Sequence, residues 1–260
     1  MKLSNILSLS RYTLIGNLRS RVFMILILFG VFFLSVTFLL SVLGQEQQIR
    51  ILTDLGLASI EILALFTAIF LTVNLILEQI EQRTIYLVLT RSITRGEYLL
   101  GSYLGTCAAI ALCVAAMVGL NVSILLWKGW DLGQEGLFYF ASVILSFEKI
   151  ALISSVGFFF SLFSSSGVVA LVLTFFFWTA GHFMEEVRFL LEKSTSAPLK
   201  IAFKAAEIVL PNFQYLNARD LQIVLQNQIS KFLLEGSLYT LLYSSTALFL
   251  AFIAFRKKEF

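Results

Sequence analysis

Four ionisable side chains stand within or at the ends of long apolar runs: Glu61, Glu148, Lys149 and His182. Charge is costly in hydrocarbon, so such residues are candidates for a transport pathway or for polar contacts that fix helix packing. Glu61 lies seven residues into its run, close enough to one end to reach the outer headgroup layer. Glu148 and Lys149 are adjacent, about 100° apart on a helix, and do not pair face to face. One of them is expected to face a neighbouring helix or a water-filled cavity. His182, alone at the outer end of its run, reads as a packing or interfacial residue rather than a metal ligand. Cys107 and Cys113 are about 120° apart on a helix, poorly placed for a disulfide, and read as small buried apolar groups. One His and two Cys in the whole chain cannot build a protein-only zinc cage. Neither a catalytic constellation, a metal site nor a nucleic-acid partner is expected.

The elements that must hold these residues follow from composition. The chain has 260 residues, 58% hydrophobic and 13% charged, with a mean hydropathy of +0.89. Soluble domains are about 45–50% apolar and about 25% charged, so this chain cannot cover its own surface with polar groups. Intrinsic disorder is excluded on the same figures. With 26 Phe and only 2 Pro, the pattern predicts long apolar helices in lipid: an all-α, multi-pass membrane protein.

A helix needs about 20 mainly apolar residues to cross the hydrocarbon. Six runs qualify: Val22–Leu43, Leu55–Leu77, Leu99–Trp127, Leu137–Phe163, Val168–Met184 and Ser237–Phe255. The run from Leu137 to Met184 is too long for one crossing, and Ser164, Ser165, Ser166 and Gly167 supply its break. Trp127 and Trp130 suit an interface. Lys2, Arg11, Arg19 and Arg21 precede the first span, and Arg256, Lys257 and Lys258 follow the last. Both ends therefore favour the cytoplasm, which requires an even number of spans. Arg83, Arg91 and Arg95 place the 78–97 loop inside as well, in the cytoplasmic (inner) membrane. Residues 1–21, with Leu3, Ile6, Leu7, Leu14 and Leu18 at helical spacing, predict an interfacial helix. The neutral segment Glu185–Gly236, with six bases and six acids, falls outside. Leu199–Leu210, stopped by Pro211, and Leu221–Leu234 read there as amphipathic helices.

The loop between spans two and three carries the most information. It mixes Glu78, Glu81, Arg83, Arg91 and Arg95 with Ile80, Ile85, Leu87, Val88 and Leu89. A free loop has no reason to expose so many branched apolar residues, so a partner groove is expected; a helix packed on anionic headgroups is the competing reading.

The run Glu78-x-x-Glu81-x-Arg83-Thr84-Ile85, then an apolar stretch, then Thr90-Arg-Ser-Ile-Thr-Arg95, resembles the cytoplasmic loop of type-2 ABC transporter permeases. Ser92 stands where that family often has Pro. Leu18-Arg-Ser-Arg before span one, Gly181-His182, Leu210-Pro-Asn-Phe and the Phe255-Arg-Lys-Lys end extend the resemblance along nearly the whole chain. Together these look like the subfamily that includes the permease of the nitrous oxide reductase copper-site maturation system. The resemblance implies a transmembrane subunit without catalytic activity or cofactor of its own. ATP and Mg would be bound by a separate ATPase subunit, in a complex of two permeases and two ATPases. The chain has no G-x-x-x-x-G-K-[ST] phosphate loop. Carried over from the family, contact with the ATPase falls on Glu78, Glu81, Arg83, Thr84, Ile85, Leu87 and Arg91. A stand-alone secondary transporter or channel, and a non-transporting scaffold of an assembly machine, remain alternatives.

Overall fold

In a computed structural model the chain is helical, with no strand among the described residues. These are residues 2–44, 47–81, 93–131, 133–164, 166–192, 203–204, 206–207, 209–218 and 228–257. Among the described residues eight helices carry the fold: α1 (Leu3–Arg19), α2 (Arg21–Leu43), α3 (Gln48–Glu81), α4 (Arg95–Trp127), α5 (Gln134–Phe163), α6 (Gly167–His182), α7 (Met184–Glu192) and α8 (Ile229–Lys257). A short 3-10 turn spans Phe213–Leu216. Among the described residues five helices are long and apolar enough to cross a membrane, and α6 with α7, bent by 52°, raises the number to as many as six. The protein is thus a multi-pass membrane protein.

Local chemistry sets the ends. Ser20 caps α2 by accepting from the Phe23 amide at 3.1 Å. Thr94 and Glu97 form a reciprocal capping box at the start of α4. At its other end, the Trp130 amide donates to Leu125 O and the Gly129 amide to Leu126 O, both at 3.0 Å. This Schellman closure needs Gly129 in the left-handed region, and its φ is +84°. Between α5 and α6, Ser164 Oγ accepts from the Ser166 amide at 3.1 Å and donates to its carbonyl at 2.9 Å. The serine side chain thereby occupies backbone groups freed by the break.

Contacts between helices give their direction and level. Gly30 of α2 abuts Met117 of α4, and Phe38 stacks on Trp127 with centroids 6.1 Å apart. The two helices therefore run parallel, and Arg21 comes level with the region of Thr106. α2 is about 35 Å long, close to the hydrocarbon thickness, whereas α3 and α4 are about 50 Å. Both overhang at the end where Gln79 of α3 meets Tyr98 of α4. Both termini lie at this same end: Lys2 N donates to Glu97 at 2.6 Å, and Arg95 reaches the Phe255 and Arg256 carbonyls.

α1 packs on the overhang of α4. A Cβ on Gly105 would stand 2.5 Å from Ser10 O, and one on Gly101 would stand 2.6 Å from Leu9 Cβ. Only hydrogen at these two positions lets the helices approach so closely. In the membrane core, α3 and α5 are central, with 61% of each apolar window buried, against 22% for α2.

Several details differ from sequence expectation. α8 begins at Ile229, so the second half of the Leu221–Leu234 stretch belongs to the last long helix rather than to a separate amphipathic one. Residues 221–227 lie outside the described residues. Trp130 is buried, donating from Nε1 to Glu135 at 3.3 Å and packing edge-on against Tyr139. Only Trp127 of the pair is exposed. Finally, Pro211, Phe213, Leu216 and Ala218 of the segment before α8 are buried within the bundle.

Candidate functional site

Two assemblies bring together residues that chemistry singles out. The first lies inside the bundle. Lys149 of α5 donates to Glu61 Oε1 of α3 at 2.6 Å, and Ser146, one turn earlier on α5, donates to Glu61 Oε2 at 3.3 Å. Lys149 is 4% exposed and Glu61 13%. Water has little access to either, so the direct contact offsets part of the cost of burying them. The Phe213 ring lies 6.0 Å from Lys149 Nζ and places its negative face within cation–π range. Phe213 in turn fits against Gly181, where an added Cβ would be 2.8 Å from the ring and 2.6 Å from Pro211 O. The end of α6, the 211–213 turn, α5 and α3 therefore meet around one ion pair.

Depth follows from counting. Gln48 of α3 is bonded to Lys128 just beyond α4, and Glu61 is thirteen residues further along α3. At 1.5 Å per residue this places Glu61 about 20 Å from that end of the bundle. Glu61, 13% exposed, is therefore an interior residue of the helix bundle.

Glu148, the neighbour of Lys149, turns to a different helix. It accepts from Ser237 Oγ of α8 at 2.5 Å. Its second carboxyl oxygen is buried with no hydrogen-bond partner among the described residues. Thr240, one turn along α8, also has a buried hydroxyl without a partner among the described residues. The adjacent charges thus divide their work: Lys149 joins α5 to α3, and Glu148 joins α5 to α8. His182 stands apart from both, exposed and stacked on Trp178 with centroids 5.4 Å apart. Cys107 and Cys113 are free thiols. No group of three or more metal-ligating side chains occurs among the described residues.

The second assembly is the junction from which the 82–92 connection emerges. Glu97 accepts from Lys2 N at 2.6 Å, Asn5 Nδ2 at 3.1 Å and Thr94 N at 3.1 Å. Arg95 donates to Phe255 O at 2.7 Å and Arg256 O at 3.0 Å, and its guanidinium lies 5.5 Å from the Phe255 ring centroid. Tyr98 OH donates to Gln79 Oε1. An apolar cluster of Ile76, Tyr98, Leu99, Phe158, Leu248 and Phe255 fills the space between. Hydrogen bonds join four helices here, α1, α3, α4 and α8, and Phe158 brings in α5 through the apolar cluster.

Of the residues singled out for partner contact, Glu78 lies exposed on the last turns of α3, and Glu81 is the final residue of that helix. Arg83, Thr84, Ile85, Leu87 and Arg91 lie outside the described residues. The structure brings Glu61 and Lys149 together and keeps Glu148 and His182 apart from them. Sequence reasoning missed this pairing because its partners are 88 residues apart. It also missed the α1–α4 contact, although Gly101 and Gly105 at four-residue spacing were a visible signal. No protein-family model matches the chain, and no curated protein matches it.

Proposed function

We propose that this chain is the transmembrane permease subunit of an ATP-driven, type-2 exporter-like ABC transporter. A separate ATPase subunit binds ATP and Mg, and two permeases and two ATPases form the complex. The chain lies in the cytoplasmic membrane with both termini inside. The observation that carries this reading is the four-helix junction around Glu97 and Arg95. The connecting segment between α3 and α4, with its charged ends and branched apolar centre, is tethered to that junction on both sides. A force on the segment acts on a packed unit rather than on slack chain. ATP-driven closure of the ATPase dimer moves the segment, α3 and α4 carry the displacement past the headgroups, and α1 and α8 follow through Glu97 and Arg95. The energy available for the shift is the difference in ATPase contact between the two arrangements.

The pair Glu61–Lys149 is the natural pivot in this scheme. It links α3, which is moved, to α5, which lies against α8 and the 211–218 segment with its buried Phe213 and Leu216. The substrate would be exported, or mechanical work transmitted, along the seam these elements share. The test is copurification of the tagged chain with an ATPase from its native membranes. Deletion of Ile85–Leu89 is expected to abolish association while leaving membrane insertion intact; unchanged association removes the coupling assignment.

A stand-alone secondary transporter is the second reading, and the interior carboxyls Glu61 and Glu148 are the observation that favours it. Uptake into proteoliposomes containing this chain alone, driven by a proton gradient, would establish it and displace the ATP-driven reading.

A further inference from the structure

Glu148 is served unevenly by its surroundings. Ser237 Oγ donates to Oε1 at 2.5 Å, while Oε2 is buried with no partner among the described residues. No ion pair among the described residues includes Glu148. Its neighbour Lys149 is committed to Glu61 in the interior of the bundle. An ionised carboxylate shielded from water needs donors at both oxygens or a cation beside it. A carboxylic acid does not: Oε1 accepts from Ser237 as a carbonyl oxygen, and Oε2 carries the hydrogen. A hard metal ion takes about six to eight oxygen ligands, whereas the carboxyl has one hydrogen-bond partner among the described residues, Ser237.

The other titratable groups on the helices packed around α5 are engaged elsewhere. Glu61 of α3 holds Lys149. On α8, Lys231 pairs with Glu235 at 3.8 Å, Tyr239 OH accepts from Asn212 N at 2.9 Å, and Tyr243 OH donates to Val209 O. His182 of α6 stacks on Trp178. Tyr103 of α4, with Cys107 one turn along, lies beside Ser244.

A row of hydroxyls leads from Glu148 to that tyrosine. Gly236 and Ser237 of α8 both meet α5, at Leu145 and Glu148. On a helical wheel Thr240 falls between them, so it faces α5 one turn nearer the end that carries both termini. Thr240 is 6% exposed, and its hydroxyl has no partner among the described residues. Ser244 follows one turn on, and Tyr103 beside it donates to Ala151 O of α5 at 3.2 Å. Beyond Tyr103 the apolar cluster of Phe158, Leu248 and Phe255 closes the seam.

We propose that Glu148 is a proton-exchange site, reached from the end that carries both termini through Thr240, Ser244 and Tyr103. A proton from water at that end forms an O–H bond at Oε2, each hydroxyl on the way accepting one hydrogen as it donates another. Release breaks that bond and returns the proton by the same row, so the carboxyl alternates between neutral and anionic with no other reactant. The apolar cluster must open before transfer, so the exchange rate is the open fraction multiplied by the transfer rate. The inference does not rest on the ATP-driven reading, because exchange at Glu148 requires neither ATP nor a partner subunit.

Infrared spectroscopy of the full chain in lipid nanodiscs at pH 7 tests it. The wild type is expected to show a carboxylic-acid C=O band that Glu148→Gln removes and Glu61→Gln leaves in place. The band is expected to move to lower frequency in heavy water, as an exchangeable O–H requires. Ser237→Ala keeps the carboxyl but removes its donor; it is expected to raise the band frequency and keeps the test open should Glu148→Gln misfold. Thr240→Val is expected to slow the exchange several-fold, and Phe255→Ala to speed it. A spectrum unchanged by Glu148→Gln overturns the proposal, as does a band that never shifts in heavy water. Exchange indifferent to Thr240→Val overturns the route. Loss of the band in sodium chloride but not in potassium chloride marks an alkali-metal site and overturns the proton assignment.

Discussion

Replacing Lys149 with Met isolates the value of the interior ion pair. The side chain is nearly isosteric and leaves the packing of α5 on α3 largely filled. It removes the ammonium 2.6 Å from Glu61 Oε1, leaving Ser146 at 3.3 Å on the other carboxyl oxygen. Both partners of the pair are well shielded from water, so the small values typical of surface pairs do not apply. Breaking a buried pair from one side costs about 3–5 kcal/mol. Lys149→Met is therefore expected to lose about 3–5 kcal/mol. Glu61→Gln leaves the ammonium facing the Phe213 ring at 6.0 Å, which offsets about 1 kcal/mol and brings its loss to about 2–4 kcal/mol. The double variant buries no net charge and is expected to lose only about 1–2 kcal/mol, well below the sum of the singles. The assay is reversible unfolding in mixed micelles at pH 7, read by thiol-reactive dye at Cys107 and Cys113, which are half-buried and buried. A double variant whose loss equals the sum of the two singles would refute the pairing.

Further substitutions probe the other contacts. Gly105→Val sets a Cβ 2.5 Å from the Ser10 carbonyl; it is expected to cost about 1–3 kcal/mol by overpacking and to expose α1 to trypsin at Arg11 and Arg19. Gly119→Val, where the added Cβ meets nothing within 4 Å beyond its own stretch of helix, serves as its control and leaves the digestion pattern unchanged. Glu97→Gln retains one acceptor for Lys2, Asn5 and Thr94 but loses the charge; α1 is expected to become more accessible to trypsin without change in helix content by circular dichroism. Phe213→Ala opens the space between Gly181 and Lys149 and is expected to lose about 3–5 kcal/mol, measured in the same unfolding assay.

The fold class was legible because lipid imposes a crude rule: an uncharged run such as Val22–Leu43 has one reasonable fate. The serine run at 164–166 was legible for a related reason, since short hydroxyl side chains compete with helix continuation. Boundaries at the overhanging end were less so. Thr94 and Glu97 spell a capping box, but the eye follows hydropathy and starts the helix at Leu99, one turn late. The site was legible only as a set of singular residues. Nothing local says that Lys149 turns toward α3 and Glu148 toward α8, because that depends on which helices flank α5. Nor does the sequence of Leu210-Pro-Asn-Phe213 reveal that the chain folds back into the bundle. Burial of Phe213 at 1% exposure comes from the small Gly181 surface opposite it, a match between positions 32 residues apart.

The coupling role of the segment between α3 and α4 is the claim on which the functional account depends. A photo-crosslinking amino acid at Leu87, introduced in native membranes, tests it at the contact itself. The account predicts one dominant protein adduct to an ATP-hydrolysing subunit, with a yield that changes when hydrolysis is blocked by vanadate. Adducts to lipid alone, or a yield indifferent to the nucleotide state, would contradict it.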